Sequence, residues 1–403
     1  MQSILIVRNP MPLCFQRSRS RAVAETLTYI PGSSAVGGLA AAHRRLQREA
    51  AADFEDFFLS RKVRFSNLYP ANFAHDDLTD ETLPVAPLPF TASSCKYFSG
   101  FRFNAGREDE ERHGVVDRLI PWTLFALSGR HAVKILNAYR DCFDSCPETL
   151  DRFTEGFYRY GYTPEAMGLS TIPRRLLTRT GVSRRRGAVQ ESILYNREVL
   201  AENQTFRGTV ECDDAALLHK VTTFVKEASA RELIYLGNNK SRGLGKVSAI
   251  CEQPSVPQDT VADIEARVQD FTNRLTAKAK EHGQAIPSGL YISITLHSDL
   301  ILRDALLRYR TDLNPPIRGM EPVYQNTVQG QAWGWNRFLG VPKAIQNTIS
   351  MGSVFLFRYT GVVDLGFWQQ LKQLQDIGIG ERRSEGFGRV KIADPFHKEE
   401  QPR

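Results

Sequence analysis

The pattern of apolar and polar positions predicts the same supersecondary unit twice along this chain. The first predicted helix follows Asp213 and Asp214, with an apolar face of Leu217, Leu218, Val221, Phe224 and Val225. The second follows Asp364, with an apolar face of Phe367, Trp368, Leu371 and Leu374, and Gly378 stands at its C-terminal end. This spacing is typical of a helix that buries one face, with acidic residues at its start.

Each predicted helix lies between an apolar strand and a glycine-rich loop. The strands are residues 206–210 and 353–357, and the loops are 241–247 (SRGLGKV) and 384–390 (SEGFGRV). Strand, helix, glycine loop and strand form the second half of a ferredoxin-like (RRM-like, βαββαβ) domain, and a repeated unit indicates that this module is used twice. The predicted fold class is therefore α+β, with two ferredoxin-like domains and antiparallel sheets.

The remaining segments predict the domain boundaries. An N-terminal domain is expected over 1–252, interrupted at about 70–175 by a long insertion that begins with several prolines. Residues 253–285 are predicted to be a polar linker followed by a connecting helix, because 261–281 has a helical pattern of mixed charge. The apolar strand 290–296 is expected near the start of a C-terminal domain over 286–403.

The two glycine loops are candidate anion-binding sites. Paired glycines let the backbone approach a ligand closely, successive N–H groups form an anion cradle, and cations flank both copies. The predicted contacts are Gly237, Asn239, Lys240, Ser241, Arg242, Gly243, Gly245 and Lys246 in the first loop, and Arg382, Arg383, Gly386, Gly388 and Arg389 in the second. A phosphodiester backbone fits this chemistry, and the alternative is a tight turn that only packs a strand on a helix.

Three further segments could contact the same anion. Ser33 or Ser34 is predicted to cap a helix whose exposed N–H groups form an anion site. The basic stretch 174–186, which includes Arg179, Arg184, Arg185 and Arg186, is interpreted as a loop or hairpin lying on phosphates, or else as a solvated charged loop. Trp335 and Lys343 combine an aromatic ring with a cation, a pairing that can stack on bases, although tryptophan also occurs in cores.

Composition agrees with an anionic partner without requiring one. The 403 residues carry a net charge of +7, the isoelectric point is about 9.1, and 42% of the residues are hydrophobic. No signal peptide or membrane-spanning run is apparent, so a cytoplasmic protein is expected. Nucleotide binding is a further possible function, and it is disfavoured because neither the phosphate-loop nor the dinucleotide-binding glycine pattern occurs in the sequence.

Two other residue groups suggest chemistry. Cys142 and Cys146, with Cys95 and His113, would complete a four-ligand zinc site, and free cysteines are the alternative. His43, on the helix after Ser34, would serve as general base in an RNA-cleaving site, although a lone helical histidine is more often structural. No cofactor is expected apart from this candidate zinc. Asp299, directly after a strand, could bind a metal or make a turn.

These features together resemble the RAMP superfamily of CRISPR-associated RNA-binding proteins. The finer similarity is to the larger RAMP subunit of type III-D effector complexes. It is carried by the two glycine loops, by Ile30-Pro31-Gly32-Ser33-Ser34, and by segments scattered over nearly the whole chain: 63–70, 94–96, 113–117, 194–208, 236–247, 333–343 and 378–390.

The resemblance implies a function that the residues alone do not reach. Such a subunit is non-catalytic, binds the 5′ handle of the crRNA and lies beside a large polymerase-like subunit, RAMP backbone subunits and a small subunit. The assembly recognises invading RNA by base pairing with the guide, while protein holds backbone and shape. The alternative within the superfamily is a metal-independent endoribonuclease that processes precursor crRNA, with His43 as its base.

The chain departs from this group at two places. Members carry an arginine shortly after the P-G-S helix start, where this chain has Val36, Gly37 and Gly38. The second glycine loop has Glu385 where the first has Arg242, so the two loops are expected to differ in role, one holding RNA and the other packing on a neighbour.

Overall fold

The computed structural model describes twelve segments of the chain. They are residues 1–16, 23–46, 53–71, 84–101, 112–128, 140–142, 146–154, 156–159, 168–182, 189–254, 257–336 and 340–397. Among these residues, no helix is both long enough and apolar enough to cross a bilayer.

The described segments contain strands and helices in the following order. The strands are β1 (Gln2–Asn9), β2 (Val23–Ala24), β3 (Val63–Phe65), β4 (Tyr69–Pro70), β5 (Val85–Pro87), β6 (Ala92–Cys95), β7 (Val115–Asp117), β8 (Leu150–Arg152), β9 (Phe157–Arg159), β10 (Gly168–Ser170), β11 (Arg174–Val182), β12 (Val189–Leu200), β13 (Gln204–Cys212), β14 (Ser248–Glu252), β15 (Leu290–Leu296), β16 (Met320–Asn326), β17 (Gln329–Ala332), β18 (Trp335–Asn336), β19 (Val341–Pro342), β20 (Gln346–Ile349), β21 (Val354–Tyr359) and β22 (Val390–Ile392). The helices are α1 (Gly32–Leu46), α2 (Asp53–Phe58), α3 (Leu119–Ser128), α4 (Ala215–Ala230), α5 (Val261–Glu281) and α6 (Leu365–Ile377).

The first domain has the predicted ferredoxin-like sheet. Its strand order is β14-β1-β13-β3, with β4 also paired to β13, and every pair is antiparallel. Helices α1 and α4 cover one face because alternate residues of β1, such as Leu5 and Val7, meet the apolar stripes of both helices in one core. The Asp214 carboxylate caps α4 by accepting from the N–H groups of Ala216 and Leu217.

The second domain repeats this sheet with strand order β22-β15-β21-β16, again antiparallel. Asp364 caps α6, and Gly378 ends it with a φ of 77°. The α+β fold class with antiparallel sheets is therefore confirmed.

The second domain departs from the repeat in its first helix. Residues 297–319, between β15 and β16, contain no helix. Instead α5, which precedes β15, packs Ile264 and Val268 into the same core as Trp368 and Leu371 of α6. The predicted connecting helix thus supplies the packing that a helix after the first strand provides in the first domain.

The insertion joins the two domains. It forms two small antiparallel sheets, β10-β9-β5 and β7-β6-β8, together with α3 and the β11–β12 hairpin. Helix α3 packs Leu119 and Leu124 against the face of the second sheet that carries Tyr291 and Leu356. The hairpin extends the insertion to the start of β13, because neither of its strands enters the first domain's sheet.

A buried polar network fastens the insertion to the second domain. The Tyr158 hydroxyl donates to Asp394 (2.7 Å), and His397 Nδ1 lies 3.0 Å from the Asp117 carboxylate. His297 Nε2 also bonds to Asp394. Burial opposes protonation of His397, but Asp117 and Asp394 outweigh it, so the pKa of His397 is raised. This network positions the insertion as one wall of the site described next.

Candidate nucleic-acid interface

The two glycine loops have the same backbone conformation. Each begins with a residue in the left-handed region, Asn239 (φ 59°) or Arg382 (φ 55°), and continues through a 3₁₀ turn. Each turn ends at a left-handed glycine, Gly243 or Gly386. The sequence repeat is therefore a repeat of local structure.

Hydrogen bonds attach each loop to the segment that follows the first strand of its domain. In the first loop, Gly245 N–H donates to Pro12 O and Gly245 O accepts from Leu236 N–H (3.0 and 2.8 Å). In the second, Gly388 bonds in the same way to Asp299 and Ile379 (2.9 and 2.8 Å). Glycine is required because a Cβ at Gly388 would lie 1.8 Å from Ile379 O.

The surroundings of the second loop make it an interface between the domains. A Cβ at Gly32, the first residue of α1, would lie 2.6 Å from Glu385 O, and one at Gly386 would lie 2.9 Å from the Asn67 side chain. Arg389 forms an ion pair with Glu211 of β13 (2.8 Å), and the Tyr69 hydroxyl donates to His297 O. The second loop therefore packs on the first domain of the same chain.

The cations around the second loop are largely paired. Arg382 and Lys343 both bind the Glu385 carboxylate, at 2.6 and 3.3 Å. Burial raises the pKa of Glu385, but these two cations lower it by more, so its net pKa lies below the usual value. Arg382 also lies over the Phe387 ring, 4.6 Å from its centroid. Glu385 therefore holds Arg382 and Lys343 in place at the edge of a cleft.

This cleft has a volume of about 2240 Å³ and lies between the domains and the insertion. The first domain contributes the start of α1 and the first glycine loop. The second contributes the β17–β20 region, and the insertion contributes parts of 87–90, 152–157 and 169–174. The geometry brings three separate regions of the sequence to one surface.

About half of the residues predicted to contact the anion line this cleft. Those that line it are Ser33, Ser34, Gly237, Asn239, Lys240, Ser241, Arg242, Trp335, Lys343 and Arg382. Those outside its described lining are Arg179, Gly243, Gly245, Lys246, Arg383, Gly386, Gly388 and Arg389. Lys246 instead pairs with Glu232 (2.7 Å). Arg184, Arg185 and Arg186 lie outside the described residues.

The charge of the cleft is mainly positive. Its described lining includes two acidic residues, Glu25 and Asp299, and six cations: Arg152, Arg174, Lys240, Arg242, Lys343 and Arg382. Three of these cations are paired with carboxylates outside that lining, Arg174 with Glu198, and Lys343 and Arg382 with Glu385. The predicted basic hairpin forms as β11–β12, and Arg179 donates from it to Arg242 O (3.0 Å), bringing the hairpin against the first loop. No local pattern marks Arg152 or Phe387 as cleft residues, because tertiary packing alone brings them there.

The start of α1 differs from its prediction. The helix begins at Gly32, so Ser33 and Ser34 lie in its first turn rather than capping it. The Gly32 N–H donates to the Asn67 side chain (2.8 Å), and the Ser34 and Ala35 N–H groups donate to Pro31 O. The backbone donors of Gly32, Ser34 and Ala35 therefore have protein partners, and the half-buried residues Ser33 and Ser34 line the cleft.

Trp335 is the exposed aromatic residue among the described residues that line the cleft. It lies in the β18–β19 hairpin and is 59% exposed. Lys343 follows the hairpin and is held to it by its N–H bond to Gly334 O (2.9 Å). An exposed indole beside a cation suits stacking on a base rather than packing in a core.

His43 lies in the core of the first domain and not in the cleft. It is 2% exposed, and its ring centroid lies 5.0 Å from that of Phe224. Phe54, Phe57 and Phe58 surround it at 5.7, 5.6 and 5.9 Å. A general base must reach the proton that it removes, so this position does not suit the endoribonuclease alternative.

The burial of His43 predicts a pH effect on stability. Burial lowers the pKa of His43, and Asp53 offsets only part of this effect. The unfolded chain therefore binds a proton at His43 more readily than the folded chain does. As pH falls below the unfolded pKa of about 6.5, this difference lowers the free energy of unfolding. His43→Leu should reduce the loss of stability between pH 8 and pH 5.5 in urea unfolding, with little change at pH 8. An unchanged pH dependence would contradict this account.

Two other predictions have defined positions. Asp299 accepts the Met351 N–H (2.9 Å), and burial raises the pKa of its carboxyl, which fits the turn role better than a metal ligand. Cys142 and Cys146 come together with Cys95 and His113 in the insertion.

Comparisons with known proteins give distant structural similarity alone. No protein-family model matches the chain, and no curated protein matches it. The chain is similar to a chain of a type III-B Cmr-beta complex bound to cognate target RNA and AMPPnP, with TM-score 0.41 and 12% identity over 88% of this chain and 86% of that one. A Cmr-beta complex bound to cognate target RNA gives TM-score 0.39 at the same identity and coverage, and an apo Cmr-beta structure gives 0.29, at 10% identity over 62% and 97%.

Proposed function

We propose that this chain is a non-catalytic RNA-binding subunit of a type III CRISPR effector ribonucleoprotein, in which the cleft holds the crRNA. The observation that carries the proposal is the convergence on one cationic cleft of Ser33 and Ser34, the first glycine loop and the Trp335 hairpin. These segments belong to two domains and are far apart in sequence. Together these segments form one surface that no single motif provides.

The size and chemistry of the cleft favour a polymer over a small molecule. Small-molecule sites are typically about 300–1,000 Å³. The cleft, at about 2240 Å³, has more than twice that upper volume. Cations with an exposed aromatic ring are the components of single-strand binding, because cations track phosphates while rings stack on bases.

The sequence resemblance supplies the finer part of the proposal. It points to the 5′ handle of the crRNA in a type III-D complex in the cytoplasm, with a large polymerase-like subunit, RAMP backbone subunits and a small subunit as partners. Target RNA would be recognised through the guide. The first glycine loop holds RNA backbone, whereas the second joins the two domains.

The direct test is to identify what co-purifies with the tagged protein from its native host. We expect a discrete guide RNA with a constant 5′ segment, together with several partner subunits. Purified chain should also bind a single strand carrying that segment more tightly than a duplex of the same sequence. Recovery of neither RNA nor partner subunits would overturn the assignment.

Trp335→Ala should weaken binding of single-stranded RNA about 5- to 150-fold, because stacking on one base contributes about 1–3 kcal/mol. Trp335→Phe, which keeps a ring, should recover much of this loss. Fluorescence anisotropy with labelled RNA measures both variants.

Val341→Ala is the matched control for Trp335. Val341 lies on the paired strand of the same hairpin, is 46% exposed and does not line the described cleft. It should bind RNA like the wild type. Equal losses at both positions would indicate that the hairpin as a whole, rather than the indole, is responsible.

A further inference from the structure

Four side chains of the insertion place metal-ligating atoms at one point. The sulfurs of Cys95, Cys142 and Cys146 and a ring nitrogen of His113 all lie within 4.8 Å of one another. The Cys95 and Cys146 sulfurs are 4.0 Å apart, and His113 Nδ1 is 3.2 Å from the Cys142 sulfur. Cys95 is buried and the other three are half-buried.

These separations match a mononuclear tetrahedral centre. Two sulfurs bound at about 2.3 Å to one tetrahedral Zn²⁺ are about 3.8 Å apart. A disulfide would instead bring two sulfurs to about 2.05 Å, and Cys95, Cys142 and Cys146 form no disulfide. Three thiolates and one imidazole are a donor set that zinc prefers.

The surrounding backbone holds the cluster in place. His113 donates its own N–H to Phe98 O (3.0 Å), and its ring stacks on that of Phe98 at 4.6 Å. The Cys142 N–H donates to Glu148 O (2.8 Å). Supporting bonds of this kind orient ligands before a metal arrives.

We propose that Cys95, His113, Cys142 and Cys146 bind one Zn²⁺ in a closed structural site. Four protein ligands leave no open coordination position, which is the arrangement of structural rather than catalytic zinc. The ion stabilises the insertion, whose described core around this site is small: Ala86, Leu88, Ala92, Phe101, Val115 and Tyr158, packed against Phe396 of the second domain.

The position of the site connects it to the cleft. Cys95 ends β6 and pairs with Leu150 of β8, while Ser93 pairs with Arg152 at the other end of β8. Arg152 lines the cleft and lies over the Phe90 ring, 4.8 Å from its centroid. Zinc therefore fixes one end of the short sheet whose other end forms a cleft wall. This link, unlike the site itself, rests on the proposed function.

The test is the metal content of full-length protein purified without added metal or chelator. Mass spectrometry of the bound metals should find about one zinc per chain. Cys95→Ser and Cys146→Ser should each reduce this to below about 0.2. Cys251→Ser, a cysteine of the first sheet outside the cluster, should retain about one zinc. Replacement by Co²⁺ should give the intense absorption of tetrahedral thiolate coordination.

A thiol assay on the wild-type protein tests the site without any substitution, so its result does not depend on whether the variants fold. In native protein, a strong zinc chelator should make three additional thiols reactive as zinc leaves. Wild-type protein with no zinc, or with zinc unaffected by both cluster substitutions, would overturn the site. Because neither measurement involves RNA, loss of the RNA-binding proposal would leave this result unchanged.

Discussion

Arg242→Glu is expected to weaken binding of single-stranded RNA about 10- to 100-fold near 0.1 M salt, because a phosphate contact becomes a repulsion. Arg242 is exposed in the first glycine loop and lines the cleft. The loop should tolerate the substitution, since Glu385 occupies the corresponding position in the second loop on the same backbone conformation. RNA titrations at several salt concentrations should also show a slope of log K against log salt that is shallower by about 1.

Arg383→Glu is the matched control for Arg242. Arg383 is exposed on the second loop, outside the described lining of the cleft, and its substitution changes the net charge equally. It should reduce affinity much less. Similar losses for both variants would mean that net charge, and not a contact in the first loop, determines binding. Thermal unfolding should be nearly unchanged in both.

Gly388→Ala is expected to destabilise the protein by about 3–5 kcal/mol, among the larger effects of single substitutions. Gly388 has a φ of 69°, and an added Cβ would lie 1.8 Å from the Ile379 carbonyl oxygen. That contact involves backbone on both sides, and the loop is also the interface with the first domain, so it has little freedom to adjust. The midpoint of urea unfolding measures the effect.

Gly243→Ala is the control that distinguishes the cost of a left-handed φ from the cost of the contact between an added Cβ and the Ile379 carbonyl oxygen. Gly243 has a similar φ of 77°, but nothing lies within 4 Å of an added Cβ. It should cost about 1–2 kcal/mol, the ordinary penalty of the left-handed conformation for an L-residue. Equal costs at Gly243 and Gly388 would show that the carbonyl contact contributes nothing and that the loop relaxes freely.

Local patterns predicted the elements around the repeats closely. The apolar stripe after Asp214 became α4 with Asp214 as its cap, and the helical pattern over 261–281 matches α5 at both ends. Capping and helix periodicity depend on residues within a few positions of one another, so sequence alone contains the information. The same holds for the glycine loops, where positive φ favours glycine whatever surrounds it.

The candidate site was predictable only in part. Residues 237–242 at the first glycine loop meet Ser33, Ser34, Trp335 and Lys343 in the cleft, whereas Arg382 is the one predicted contact of the second loop among the described lining residues. The two loops have similar sequences but different environments, because the first residue of α1 packs on the second loop and not on the first. His43 shows the same limit, because a helical pattern does not reveal which residue faces four phenylalanines.

The sequence by itself determined the duplicated strand, helix and loop units, their caps and the left-handed glycines, since these follow from short-range spacing and backbone sterics. Only the tertiary structure decided that α5 replaces a helix of the second domain, that the insertion forms a cleft wall, and that Cys95 and His113 meet Cys142 and Cys146. Those outcomes depend on packing between segments distant in the chain, and no local pattern encodes which surfaces such segments will share.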